Sequence, residues 1–157
     1  MPLWELTSAF HPKRTFGAET INGDAHMPEG MTVIQSQFDP RTTMDRMAAA
    51  VTADGVTVFA RIDLAAGVPE EGLTLRPTEV LIFGHPKFGT RLMQEEQTVG
   101  IDLPMKALVW QDAAGKTWLG YNNPSWVAAR HGLGADQETT IQAMTAGLAA
   151  QAKEATG

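Results

Sequence analysis

The sequence predicts a single α+β domain, with a largely antiparallel sheet and its helices on one face. Three observations carry that expectation. Met105–Gln111 and Lys116–Tyr121 read as strands, and the Asp112-Ala113-Ala114-Gly115 segment between them reads as a hairpin turn with a glycine free to take positive φ. Asp39-Pro40 and Asn123-Pro124 read as helix starts, each a capping side chain followed by proline at the first helical position. The chain has 157 residues, 43% hydrophobic and 19% charged, which suits one domain able to bury a core. Hairpins mixed with helices point to an antiparallel sheet covered on one side.

The elements follow in order. Residues 1–30 carry no periodicity beyond Lys13 and read as an N-terminal extension, ordered where Leu3, Trp4, Leu6 and Phe10 can dock. The compact domain is expected over residues 31–150. Thr32–Phe38 is a β-branched strand. The helix opened by Asp39 carries Met44, Met47, Ala48 and Val51 at helical spacing and stops at Gly55. In the strand Val56–Ile62, alternation places Val56, Val58, Ala60 and Ile62 on one face. Val80–Phe83 is a buried strand, and a short helix with Leu92 and Met93 follows Pro86. The helix after Asn123 ends at His131-Gly132, where His131 is a favourable C-terminal cation. Asp136 is expected to cap a last helix bearing Ile141, Met144, Thr145 and Leu148, with residues 151–157 fraying.

Composition excludes several functions. Eighteen acidic against 12 basic residues leave a net charge of −6, the wrong sign for nucleic acid or an anionic membrane surface. The absence of cysteine removes disulfides, thiolate nucleophiles and zinc–thiolate sites. The longest apolar run is too short to span a bilayer, and residues 1–16 lack a secretory pattern, so the expected location is the cytoplasm. The four histidines, His11, His26, His85 and His131, lack metal-ligand spacing. Neither a metal nor a cofactor is expected.

The most informative segment is Phe83-Gly84-His85-Pro86-Lys87-Phe88-Gly89-Thr90. It joins a buried strand to a helix start. Gly89 permits close approach of backbone, Lys87 adds a cation, Thr90 adds a hydroxyl, and helix N–H groups would point outward. An anion or carboxylate site is expected there, although the spacing is not that of a P-loop. His85 is the candidate general base or ligand. Asp102, before Leu103-Pro104, is the candidate to orient it, and Asp63 at a strand end is a further candidate. Neither a Gly-x-Ser-x-Gly elbow nor a His-Glu-x-x-His helix occurs. Trp110 and Trp118 are expected cross-strand partners, and with Tyr121 and Trp126 they suit a core, a dimer face or an apolar pocket.

Two of these segments carry a family resemblance. The chain from Met31 to Leu133 resembles the "domain of unknown function 302" family, whose members typically read Phe-Gly-Asn-Pro-Lys-x-Gly-Thr and Leu-Asp-Leu-Pro where this chain has Phe83–Thr90 and Ile101-Asp102-Leu103-Pro104. Leu92-Met93, the Asp112–Gly115 turn and Tyr121 match as well. The resemblance implies a fold similar to that of the TATA-binding protein, strand, helix, four strands, helix, and a homodimer. It implies no DNA binding and transfers no catalytic residue. This chain departs from the pattern at His85, where the family has Asn, and at Asp63-Leu64, where many members have Asp-His.

The expected function is therefore a non-enzymatic, cytoplasmic, homodimeric module binding a small anionic ligand, or serving as an interaction module, through His85, Lys87, Gly89, Thr90, Asp102 and Asp63. One alternative is a small hydrolase or transferase using His85 as base and Asp102 to orient it. Another is a purely structural dimer module with Trp110 or Trp118 on its apolar face.

Overall fold

The computed structural model describes residues 20–21, 25–68 and 72–157. The expected docking of Leu3, Trp4, Leu6 and Phe10 falls outside them. Two short strands, β1 (Thr20–Ile21) and β2 (Ala25–His26), pair antiparallel. The main body begins at β3 (Met31–Ser36) and continues through α1 (Pro40–Ala53), β4 (Thr57–Asp63), β5 (Thr78–Gly84) and α2 (Pro86–Glu95). A 3-10 turn (Gln97–Ile101) leads into β6 (Met105–Gln111), β7 (Thr117–Asn122) and α3 (Pro124–Arg130). A second 3-10 turn (Ala135–Gln137) precedes α4 (Glu138–Thr156).

The five-stranded sheet has the order β3-β7-β6-β5-β4, and every neighbouring pair is antiparallel. β4 to β7 form a meander, while β3 crosses over to pair with β7. The main helices pack on one face of this sheet, which is the expected α+β architecture. Met44, Met47 and Val51 of α1 and Leu148, Ala152 and Ala155 of α4 meet Leu81, Phe83, Ala107, Val109 and Leu119 from the strands. Met44, Met47, Val51, Leu81 and Leu119 are completely buried, each worth roughly 1.5–3 kcal/mol of burial. A smaller cluster joins Leu92 of α2, Val99 of the first 3-10 turn, Val127 and Ala128 of α3, and Ile141 of α4. Leu103 and Met144 pack against both clusters and mark the seam between them.

Local chemistry accounts for the element ends. Asp39 accepts from Thr42 N at 2.9 Å and from Thr42 Oγ1 at 2.7 Å, capping α1 ahead of Pro40. Those bonds hold the Asp39 carboxyl below its ordinary value. In the β6–β7 hairpin, Asp112 Oδ1 accepts from Ala114 N and Lys116 N, both at 2.9 Å, and Gly115 takes φ 79°. Trp110 and Trp118 are direct cross-strand partners, as expected.

Three local expectations are corrected. β4 does not alternate throughout, because the register shifts between Val58 and Ala60. Val58 pairs with Phe83 and joins the core; Ala60 pairs with Ile82, on the opposite face. Phe59, the extra residue, is 56% exposed. Asp136 lies within the second 3-10 turn, and α4 begins at Glu138 without a side-chain cap. Nor does α4 fray at Gln151. It continues to Thr156, with Ala152, Ala155 and Thr156 buried, and Gln37 N donates to Thr156 O at 3.0 Å. Burial against β3 and α1 outweighs the end effect expected of a terminal segment.

Candidate functional site

The strand-to-helix junction forms where expected. His85 is extended (φ −97°, ψ 118°) and caps α2, and Pro86 occupies the first turn. His85 Nδ1 accepts from Lys87 N at 3.2 Å. Phe88 N and Gly89 N donate to the His85 carbonyl at 3.0 and 3.2 Å. Pro86 has no N–H to offer. The first-turn amides are thus committed within the protein, and the exposed Lys87 takes no part in the adjoining cavity. The first-turn amides on which the expected anion or carboxylate site is drawn are bonded to His85, and Lys87 stands outside the lining of that cavity. The neutral His85 ring accepts at Nδ1, so its proton resides on Nε2 and that nitrogen is a donor. The ring stacks on Phe88 with centroids 4.8 Å apart.

Beside this junction lies a cleft of about 330 Å³, at the low end of the range for small-molecule sites. It opens at the seam between the two apolar clusters. Gly84, His85, Phe88, Gly89 and Thr90 form one wall, and Met93, Leu103, Pro104 and Met105 extend it. Ala143, Met144, Gly147, Leu148 and Gln151 of α4 form the other. Phe59 from the bulge covers the rim: a Cβ built on Gly84 would lie 3.2 Å from the Phe59 ring. The walls are overwhelmingly apolar, with polar atoms contributed by His85, Thr90 and Gln151. Three methionine thioethers give the cleft an adaptable surface.

Of the residues singled out in the sequence, His85, Gly89 and Thr90 line this cleft; Lys87, Asp63 and Asp102 do not. Asp63 Oδ1 accepts from Ala65 N and Ala66 N at 2.9 and 3.1 Å, capping the turn after β4. It stands opposite Glu79, whereas the cleft end of the hairpin is Thr57 opposite Gly84. Those ends are about 20 Å apart at strand rise. Asp102 does orient a histidine, but the histidine is His131. Asp102 Oδ2 lies 2.6 Å from His131 Nε2, and both carboxylate oxygens accept from Arg130 Nη1 at 2.9 Å. His131 Nδ1 is 3.3 Å from Thr98 Oγ1, which donates to Glu96 Oε1 at 2.7 Å. Thr98, through its hydroxyl and then its backbone N–H, holds the Glu96 carboxyl below its ordinary value, and His131 adds to this. This chain of bonds ties the first 3-10 turn to the C-terminus of α3. The His85–Asp102 pair of the hydrolase alternative is not formed.

Trp110 and Trp118 sit on the sheet face away from the cleft. There Trp118 Nε1 donates to Asp112 Oδ2 at 2.8 Å. The cleft's rings are instead Phe59, Phe83 and Phe88. Sequence reasoning missed Phe59, Met144, Gly147 and Gln151 as site residues. The Met144–Leu148 stripe was a visible signal, but it reads equally well as core.

This fold and cleft define a compact α+β domain with a concave apolar site at one end of an antiparallel meander. The chain belongs to the family described as "Domain of unknown function DUF302", which matches residues 32–151. It is 44% identical over 128 residues to proteins named fluoride-specific ion channel FluC 1 in Brucella suis biovar 1 and in Brucella abortus biovar 1, and FluC 2 in Brucella melitensis biotype 1. The match covers 82% of this chain but 50%, 47% and 47% of those proteins, so the chain spans about half the length of these curated relatives. The crystal structure of an uncharacterized conserved DUF302 protein from Bacillus stearothermophilus superposes with a TM-score of 0.72 at 20% identity. It covers 82% of this chain and 99% of that one, a likeness of fold.

Proposed function

We propose that this domain is a non-enzymatic small-molecule-binding module whose site is the apolar cleft between α2 and α4. The observation that carries the reading is a cleft of about 330 Å³ whose lining is almost wholly apolar, with His85, Thr90 and Gln151 as its polar contributors. The test is a titration with the uncharged fluorophore N-phenyl-1-naphthylamine. Saturable binding is expected, and Gly147→Trp should abolish it with Tm unchanged. A Cβ at Gly147 meets nothing nearer than Gln151 Nε2 at 4.0 Å, so a large side chain there grows into the cleft. Binding that is absent, or unaffected by G147W, overturns the reading.

A second reading places the module in the service of membrane ion transport. It is favoured by the three relatives named fluoride-specific ion channels, in which the matched region is only about half the chain. Among the described residues no helix is long and apolar enough to cross a membrane. In this reading the pore of those relatives lies in their remaining portion, and the DUF302 region reports ligand occupancy to it. Deleting this domain's gene should lower the sodium fluoride concentration that arrests growth, and G147W should do the same. Unchanged tolerance in the deletion strain rules out this reading.

The same proposal takes the domain as a cytoplasmic homodimer. The sheet face away from the helices supports this, with half-buried Val80, Ile82 and Leu108 and the exposed Ile62.

A further inference from the structure

Gln151 is the polar group in the cleft that the packing does not explain. It is only 5% exposed, yet it lines the cavity. Its Nε2 donates to Asp54 Oδ2 at 2.9 Å. A carboxylate can only accept, so the amide nitrogen must face Asp54 and the orientation of the amide is fixed by chemistry. The carbonyl oxygen turns the other way. Among the described residues no donor reaches it. Arg46 Nε is the one sealed side-chain polar atom left without a partner among them, so the Gln151 oxygen is not sealed in the core. The open space beside this residue is the cleft that it lines. An amide oxygen on a residue only 5% exposed is an acceptor that a ligand donor in the cleft can satisfy.

The second polar group lines the same cleft. Thr57 pairs with Gly84, so Val56 and His85 flank the same end of the sheet, and both line the cleft with Gln151. There His85 offers Nε2–H, because Nδ1 is held by Lys87 N. The cleft therefore presents an acceptor and a donor. The remainder, toward Met93, Leu103, Ala143 and Met144, is apolar. Lysine and arginine side chains are absent from the lining, and the Asp54 carboxylate stands behind Gln151.

We infer that the cleft selects an uncharged amphiphile. Its apolar body lies along Met93 and Met144, and its neutral polar head, of the primary amide or alcohol class, donates to Gln151 Oε1 and accepts from His85 Nε2–H. A carboxylate head finds no cation and meets the Asp54 charge. An ammonium head meets the His85 N–H. This inference rests on the cleft being a ligand site and names the class of ligand that it takes.

The experiment is displacement of N-phenyl-1-naphthylamine by octanamide, octanoate and octylammonium, which share one tail and differ in the head. Octanamide is expected to displace the probe at a concentration at least tenfold lower than either ion. Gln151→Met should bring the three within about twofold while the probe still binds. His85→Ser, which keeps an N-cap but loses the Nε2 donor, should also shrink the preference. Equal displacement by the three, or preference for an ion, overturns the inference and leaves the cleft reading standing if G147W still blocks the probe. Should Q151M fail to fold, the wild-type ranking and H85S decide. Failure of the probe itself to bind removes the cleft reading instead.

Discussion

Asp102 and His131 lie 2.6 Å apart, joining the turn after α2 to the C-cap of α3. The pair is mostly buried and braced by Arg130. It therefore acts as a clamp whose side chains stand outside the cleft lining, although Asp102 directly precedes Leu103. Asp102→Ala should lower stability to urea by about 1–2 kcal/mol, discounted because Arg130 is half exposed. Probe binding should not change. A loss of binding comparable to that of G147W would place the clamp in the site and refute its structural role.

The hydrogen bond from Trp118 Nε1 holds the Asp112 carboxyl below its ordinary value, assisted by Lys116 N and Ala114 N. A depressed folded pKa means that the contribution is present above the unfolded value, about 3.9, and is lost as pH falls through the folded one. We predict that the stability difference between wild type and Asp112→Asn is constant from pH 7 to about pH 4. Below that it should shrink, together with a change in tryptophan fluorescence. A difference that stays constant well below the ordinary carboxylate range would show that Trp118 does not tune Asp112.

Two glycines should respond oppositely to the same substitution. A Cβ at Gly120 would lie 2.2 Å from Met31 Cε and 3.1 Å from the Trp110 ring, so Gly120→Ala should cost about 1–3 kcal/mol. Gly147 sits within α4 facing open space, so Gly147→Ala should stabilise by roughly 0.5–1 kcal/mol. Thermal unfolding of the two variants checks both signs, and a neutral G120A would mean that Met31 and Trp110 yield freely.

The proposed homodimer predicts a concentration-dependent mass in light scattering. Ile62 is 42% exposed on the outward sheet face, so Ile62→Lys should weaken association at least tenfold without lowering Tm. A monomer at millimolar concentration would end the dimer proposal.

Tertiary structure decided the site because its parts are distant in sequence. Asp102 was legible as a residue able to orient a histidine. Which histidine it meets depends on how the turn after α2 packs on α3, and local pattern does not encode that. The bulge at Phe59 reverses the faces of β4, and it becomes visible only in the pairing with β5. Gln151 became a cleft residue when α4 docked on α1 and Asp54 fixed its amide, 97 positions away in the chain.

The sequence by itself determined where α1 and α3 start, the hairpin and the family. Asp39-Pro40, Pro124 and Asp112–Gly115 act within a few residues, whereas the Asn123 side chain expected to cap α3 makes no cap bond and accepts from Thr32 Oγ1 at 2.5 Å instead. Phe83–Thr90 marked the strand-to-helix junction for the same reason. Its ligand preference was not legible there, because the fold spends the amides of that junction on its own helix cap and leaves an apolar cleft beside them.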